Sequence, residues 1–296
     1  MKFVPQMPAK AQFLSSFSFT FVNKLCAKST TEFFVGGRPG YQKDMLFAWL
    51  LVKKLTNWDY RTIGSMAGVS ASTLVRANTY FLKRGIYQKV FVHFRRKATK
   101  QGLVPGKYVA MDSSFVHTFS KRGELGSEGW NEYKKGYGFK LHLAIDAETR
   151  FPIACKLTNG IAADCTLAIP LLKEARSIMH KTKYVLADKG YDWGDLVNWI
   201  NKTFHAKAAI PIKRVTRGKN YSWEAATRNF WEKAKGRSIK KSIYNRRVSV
   251  EQVFGLLKRV YHLGKEETRG IENFFKNCYL TLICYMLKLF YIMKIG

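Results

Sequence analysis

Apolar positions along the chain change period near residue 107. From Tyr41 to about Val92 they recur at helical spacing, as in Leu46, Trp49, Leu50 and Lys53 followed by Leu55. The polar, Gly/Pro-bounded stretch KATKQGLVPG (97–106) reads as a linker. Beyond it come short apolar runs of strand type. KYVAMD (107–112) is one, and its last residue is Asp112. GFKLHLAID (138–146) and RFPIACKLTNG (150–160) flank a tight AET turn and predict a β-hairpin. DCTLAIPLLKEARSIM (164–179) predicts a helix, KYVLAD (183–188) and AAIPIK (208–213) two more strands, and residues 244–261 a strongly patterned helix. Strands followed by alternating helices and strands indicate an α/β domain with a mixed sheet. Residues 1–35 read as an irregular arm, closed by the turn signal GGRPG at 36–40.

Charge sharpens this picture. Among 296 residues, 51 are Lys or Arg and 20 are Asp or Glu, a formal net charge of +31. Self-repulsion of that size favours a polyanionic partner, and the natural one is nucleic acid. Five scattered cysteines without a C-x-x-C spacing argue against a disulfide framework or a cysteine zinc site, and suit a reducing, cytoplasmic setting. The most apolar stretch, Cys278 to Met293, falls short of the ~20 residues of a span and contains Lys288. It reads as a core helix, so no membrane partner is expected.

The helical region contains YRTIGSMAGVSASTLVRAN (60–78). Ile63, Met66 and Ala67 lie on one helix, Gly68 can take the left-handed turn, and Ser70 can cap a second helix bearing Thr73, Leu74 and Arg76. That is a helix-turn-helix pattern, whose second helix enters a major groove. Thirteen Lys/Arg against two acids over 36–106 agree with a DNA role. An αα-hairpin without DNA contact carries the same pattern.

Three carboxylates stand out. Asp112 and Asp188 each end a strand-type run, so they share one sheet edge, where α/β proteins gather their chemistry. Glu251 lies in YNRRVSVEQVFGLLKR (244–259). At about 100° per residue, Tyr244, Arg247, Glu251 and Lys258 fall within an arc of about 60°, opposite Val250, Val253, Leu256 and Leu257. A phenol, a guanidinium, a carboxylate and an ammonium on one line suit a phosphate ester held beside a metal. Phosphodiester cleavage needs an activated water or hydroxyl and a stabilised leaving oxygen, which two metal ions can supply. Strand-end capping or pairing with lysines would also account for Asp112 and Asp188.

These motifs together resemble the DDE transposases of bacterial and archaeal insertion sequences, in the branch with the signature Y-x2-R-x3-E-x6-K. Tyr244, Arg247, Glu251 and Lys258 meet that signature, and AMDSS and ADKGYD match the two aspartate contexts. The resemblance spans roughly residues 36–290. It implies a ribonuclease-H-like mixed sheet flanked by helices, behind a helix-turn-helix-like N-terminal domain. The implied layout is an arm over 1–35, a DNA-binding region over 36–100, a catalytic domain over 107–265 with a basic insertion at about 214–243, and a C-terminal helix over 266–296 packed on the catalytic domain. It further implies two Mg²⁺ ions, or Mn²⁺, held by Asp112, Asp188 and Glu251. Tyr244, Arg247 and Lys258 would contact DNA phosphates, and Ser70, Thr73 and Arg76 the recognition helix's DNA. The implied activity is cleavage at the terminal inverted repeats and joining of the 3′-OH ends to target DNA, by a homodimer on double-stranded DNA in the prokaryotic nucleoid.

Other residues keep two readings. Trp223 and Trp231, in the basic insertion, either pack in a core or stack on a base. Asp146 closes the hairpin turn or assists the site, and Asp164 caps the following helix or lies near the site. His117 and His142 are near the carboxylates without a partner at zinc spacing. Trp130, in GSEGWNEYKKGYG (126–138), marks a DNA-contacting loop or a disordered connection. A non-catalytic DNA-binding protein and a nuclease without strand transfer are the competing functions.

Overall fold

The computed structural model describes residues 7–27, 41–118, 127–178, 180–211, 240–264 and 269–295. The GGRPG turn, Trp223, Trp231 and nearly all of the basic insertion lie outside them. The chain divides into two compact units: Met1–Ala98 with Thr118–Leu125 and Leu256–Gly296, and Thr99–His117 with Gly126–Gly255.

The first unit is helical. A 3₁₀ helix (Ala9–Ser16) and α1 (Thr20–Ala27) precede α2 (Lys43–Thr56), α3 (Tyr60–Ala67), α4 (Ala71–Lys83) and α5 (Ile86–Lys100). The expected irregular arm is therefore folded over residues 9–27. Its helices are short, and burial of Phe13, Leu14, Phe19, Val22 and Cys26 supplies what local propensity does not. The α3–α4 junction follows the sequence closely. The Asp59 carboxylate accepts from the Arg61 and Thr62 amides at 2.7 and 2.9 Å and caps α3. Gly68 ends that helix at φ 65°. The Ser70 hydroxyl accepts from the Thr73 amide at 3.2 Å and caps α4. Asn78 then ties three helices, donating to the Tyr60 hydroxyl at 2.7 Å and accepting from the Tyr87 hydroxyl at 2.6 Å.

The second unit is a six-stranded mixed sheet. Its strands are β1 (Tyr108–His117), β2 (Gly129–Asn131), β3 (Gly136–Asp146), β4 (Pro152–Asn159), β5 (Tyr184–Leu186) and β6 (Lys207–Ala209). The order is β2–β3–β1–β5–β6, with β4 also paired to β3. β1, β3 and β4 are antiparallel neighbours, while β1, β5 and β6 run parallel. α6 (Asp164–Ala175) lies against β3 and β4, and α7 (Gly194–Phe204) connects β5 to β6. α8 (Lys241–Tyr244), a 3₁₀ turn (Asn245–Arg247) and α9 (Val248–Arg259) form the patterned segment. Val250, Val253 and Leu257 are fully buried there, and Val248 is exposed as its angle requires.

Two placements differ from the sequence reading. β1 does not end at Asp112 but runs on through Ser113–His117, because β3 offers a matching antiparallel ladder from Leu143 to Gly138. The two serines disguise that continuation in the apolar pattern. The C-terminal helix, α10 (Ile271–Ile295), belongs with the helical unit and packs on α2, α4 and the 3₁₀ helix of Ala9–Ser16. It is buried around most of its circumference from Cys278 to Leu287, so its composition announces burial without naming a neighbour.

A β-carbon on Gly64 would lie 2.6 Å from the Val69 carbonyl oxygen, where the end of α3 meets the turn. Gly64→Ala is therefore expected to cost about 1–3 kcal/mol of stability through overpacking, read as a lower urea midpoint.

Candidate active site

Strand register places the first two acids. The β1–β5 parallel pairing ends at Ala110 opposite Leu186. Asp112 and Asp188 each lie two residues beyond that pair. Within β1 side chains alternate faces, so Asp112 returns to the face of Ala110, and Asp188 follows the end of β5 near enough for its charge to act on Asp112. Asp188 has left the strand and caps a 3₁₀ turn, its carboxylate accepting from the Gly190 amide at 2.7 Å. Asp112 stays within β1, held by the Ser113 amide at 2.8 Å.

The segment before α9 brings the remaining groups. Arg247 Nη1 lies 2.7 Å from Glu251 Oε1 and 3.9 Å from Asp112 Oδ2, so one guanidinium faces two of the three acids. It also hydrogen-bonds Tyr244, whose ring lies 5.8 Å from the guanidinium carbon. Burial opposes the Arg247 charge, but Glu251 and Tyr244 outweigh that and raise its pKa. Arg247 Nε is buried without a hydrogen-bond partner. Lys258 sits on the last turn of α9.

Electrostatics single out Asp112. Burial, and then the charges of Asp188 and Glu251, push its carboxyl up to about 6, against the lowering effects of the Ser113 amide and Arg247. Asp188 and Glu251 raise the cost of the Asp112 charge, so the site is one in want of a cation. All their donors are oxygen, which suits a hard divalent ion. Among the described residues, however, no three His, Cys, Asp or Glu side chains converge closely enough to form a ready-made metal cage. The cation facing both Asp112 and Glu251 is Arg247.

Behind this cluster lies a polar layer that the motifs did not reveal. Tyr191, almost fully buried, has its pKa held well above the usual phenol range by burial and by Asp112, Asp164 and Asp188, and its hydroxyl is buried without a hydrogen-bond partner. Asp164 does not cap α6: Ala163 holds that position, and the Asp164 carboxylate accepts from Lys140 Nζ at 3.1 Å. His142 Nδ1 lies 3.7 Å from Asp164, its Nε2 is 2.9 Å from the Thr158 hydroxyl, and burial lowers its pKa. Arg246 packs over the Tyr108 ring at 4.4 Å and pairs with Glu148 at 3.5 Å, pinning the segment to the sheet. Adjacency to a motif residue was the one signal for Tyr191 and Arg246. Asp146 is a turn residue: its carboxylate accepts from the Glu148, Thr149 and Gly106 amides. Ser70, Thr73 and Arg76 lie on the α3–α4 junction of the helical unit, with Ser70 engaged as a cap and Arg76 exposed.

The sheet order, the parallel β1–β5–β6 half and the flanking helices define a ribonuclease-H-like fold. Residues 105–287 match the sequence profile of the transposase DDE domain, and the chain belongs to that family of DNA transposases. Members of the family generally use divalent metal ions. Among solved structures, the piggyBac transposase synaptic complex with hairpin DNA aligns with a TM-score of 0.53 at 11% identity, over 95% of this chain and 72% of that one. The Mos1 strand transfer complex aligns at a TM-score of 0.25 and 10% identity, over 81% of this chain and 83% of that one. No curated protein sequence matches the chain.

Asp112 makes a pH-dependent prediction. Its folded pKa of about 6 lies above the unfolded value, so the stability it contributes is present below pH 4 and is lost as pH rises through 6. Asp112→Asn is expected to stabilise the protein at pH 7 by up to about 3 kcal/mol, with the gain vanishing near pH 4. Urea denaturation at the two pH values, without divalent ions, measures this.

Proposed function

We propose that this transposase binds the terminal inverted repeats of an insertion sequence, cleaves its ends by metal-dependent phosphodiester hydrolysis and joins the 3′-OH ends to target DNA. What supports this is Asp112, two residues past the β1–β5 pairing, within the field of Asp188 and Glu251 and faced by Arg247. Asp112, Asp188 and Glu251 would hold two Mg²⁺ ions, with Mn²⁺ as an alternative. Bound there, the ions supply activation of the attacking oxygen and neutralisation of the leaving one.

The chain's own residues do the positioning. Arg247 shields Asp112 and Glu251 from one another and can exchange them for a phosphate, whose geometry its planar fork matches. Tyr244 orients that guanidinium, and Lys258 extends the cationic line along α9 to the next phosphates. Tyr191 closes the site from below and excludes water from the buried side of Asp112. In the helical unit, α4 serves as the recognition helix. Arg76 is free to reach DNA, while Ser70 and Thr73 present the helix N-terminus to a phosphate. Synapsis of two ends calls for a homodimer on double-stranded DNA, acting in the nucleoid.

The test is cleavage of DNA carrying the inverted repeats that flank the coding sequence, with Mg²⁺ or Mn²⁺, for wild type and Asp188→Ala. Cleavage is expected to fall by about a hundredfold or more in the variant, as loss of several kcal/mol of metal-borne stabilisation requires, with repeat binding retained. Joined products on added target DNA distinguish a transposase from a nuclease. Binding by wild type without cleavage in either metal would leave a DNA-binding protein.

A further inference from the structure

The hairpin formed by β2 and β3 carries aromatic side chains that the core does not use. Trp130 is 41% exposed and Tyr133, in the turn, is 87% exposed. Large aromatic groups contribute most when buried, so two in solvent on one hairpin call for an occupant.

The hairpin that carries them is closely built. The base of the hairpin is built from backbone in direct contact. A β-carbon on Gly129 would lie 2.7 Å from the Ile161 amide nitrogen, one on Gly160 would lie 2.7 Å from the Gly129 carbonyl, and one on Gly138 would strike the Val116 carbonyl. The Phe115 ring covers the space that Gly138 and Gly160 leave open. Asn131 fastens the turn, donating to the Gly160 carbonyl at 3.0 Å and accepting from the Lys134 amide at 2.9 Å. Trp130 Nε1 donates to Glu132 at 2.8 Å, and the indole meets the Tyr137 ring edge-on at 5.1 Å. The Lys134 ammonium lies 4.8 Å from the centre of the Tyr133 ring.

We infer that this hairpin is a stacking platform for unpaired DNA bases. Exposed π-faces on the sheet that carries Asp112, in a chain of net charge +31, match a single-stranded segment, which offers unpaired bases to stack on them. Glu128 and Glu132 offset Lys134 and Lys135 on the hairpin itself, so the rings and not local charge would supply its binding. The hairpin is also on the sheet that carries Asp112. Asp112 pairs with Leu143, and the strand runs from there to Gly136 at the turn. At about 3.3 Å per residue that separation is roughly 23 Å, the length of about seven stacked nucleotides. A strand engaged at the carboxylates therefore reaches the hairpin while still on the protein. This inference rests on the transposase function proposed above, but its test does not require cleavage.

The experiment is a fluorescence-anisotropy titration of the full-length protein with labelled oligo(dT) and with a duplex of equal length, in the same salt. The double variant Trp130→Ala/Tyr133→Ala is expected to bind oligo(dT) about tenfold or more weakly, the scale of lost base stacking. Duplex affinity should stay within about twofold, since it is set by charge that the variant leaves intact. Trp130→Phe/Tyr133→Phe, which keeps the π-faces, should restore most of the oligo(dT) affinity. Unchanged oligo(dT) binding in the alanine variant would overturn the platform and leave the hairpin to a protein partner. Equal losses on both DNAs would assign the aromatics a structural role instead. A wild type that binds neither DNA would overturn the proposed function along with the platform, whereas intact duplex binding separates the two failures.

Discussion

A carboxylate held out of water beside two other carboxylates is the constraint around which the sheet unit is arranged. Asp112 cannot move away, because it sits within β1 with β3 hydrogen-bonded along one side and the end of β5 on the other. Its charge has to be met where it stands. Arg247 meets it from a separate element, and Arg246 holds that element down by packing on Tyr108 and pairing with Glu148. The pair of arginines thus divides the work, one facing the acids and the other anchoring the backbone that delivers it. Removing Arg247 would leave Asp112 and Glu251 without the cation that faces both, whereas neutralising Asp112 relieves its burial cost and its repulsion by Asp188 and Glu251.

The same logic shapes the helical unit, where the most deeply buried charged residue described is a lysine. Lys54 is almost wholly buried on α2, and its ammonium donates to the His262 carbonyl at 3.0 Å and to the Asn277 side chain. A buried ammonium is tolerable only when its donors are satisfied. Here they fix the chain just beyond α9 against α2 and α10. The N-terminal segment joins this core through rings, Phe19 against Phe47 at 5.9 Å and Phe13 against Tyr291 at 6.0 Å. Helices α3 and α4, which carry the proposed recognition surface, are thereby set on a packed base. The Asn78 hydrogen bonds to Tyr60 and Tyr87 leave α4 little freedom to rotate. Residues proposed to face DNA would profit from that rigidity, because side chains displaced by an ångström lose hydrogen-bond geometry.

Much of this was legible along the chain wherever the physics is local. Asp59, Gly68 and Ser70 act within three or four residues of themselves, so caps and turn of α3–α4 appear in the structure as their spacing indicates. The hairpin around Ala147–Thr149 is equally local, and Asp146 closes it through amides two and three residues away. The angular cluster of Tyr244, Arg247 and Glu251 survives the 3₁₀ turn at Asn245–Arg247, since the Arg247–Glu251 contact spans the start of α9. Ser113 and Ser114 misled for the opposite reason: their place in β1 is set by β3, a partner some thirty residues away.

The order of polar and apolar residues by itself indicated most of the elements beyond residue 40, the caps and turn of α3–α4 and the candidate acids, because each depends on neighbours within a turn or a strand pair. The tertiary structure alone decided three other matters. It paired β1 with β5 in a parallel register that no local pattern encodes and that ends two residues before Asp112 and Asp188. It brought Arg247 to Asp112 and Tyr191 beneath both aspartates, through the return of distant segments to one sheet. It also gave α10 to the helical unit, because an apolar helix records that it must be buried but not which surface will bury it.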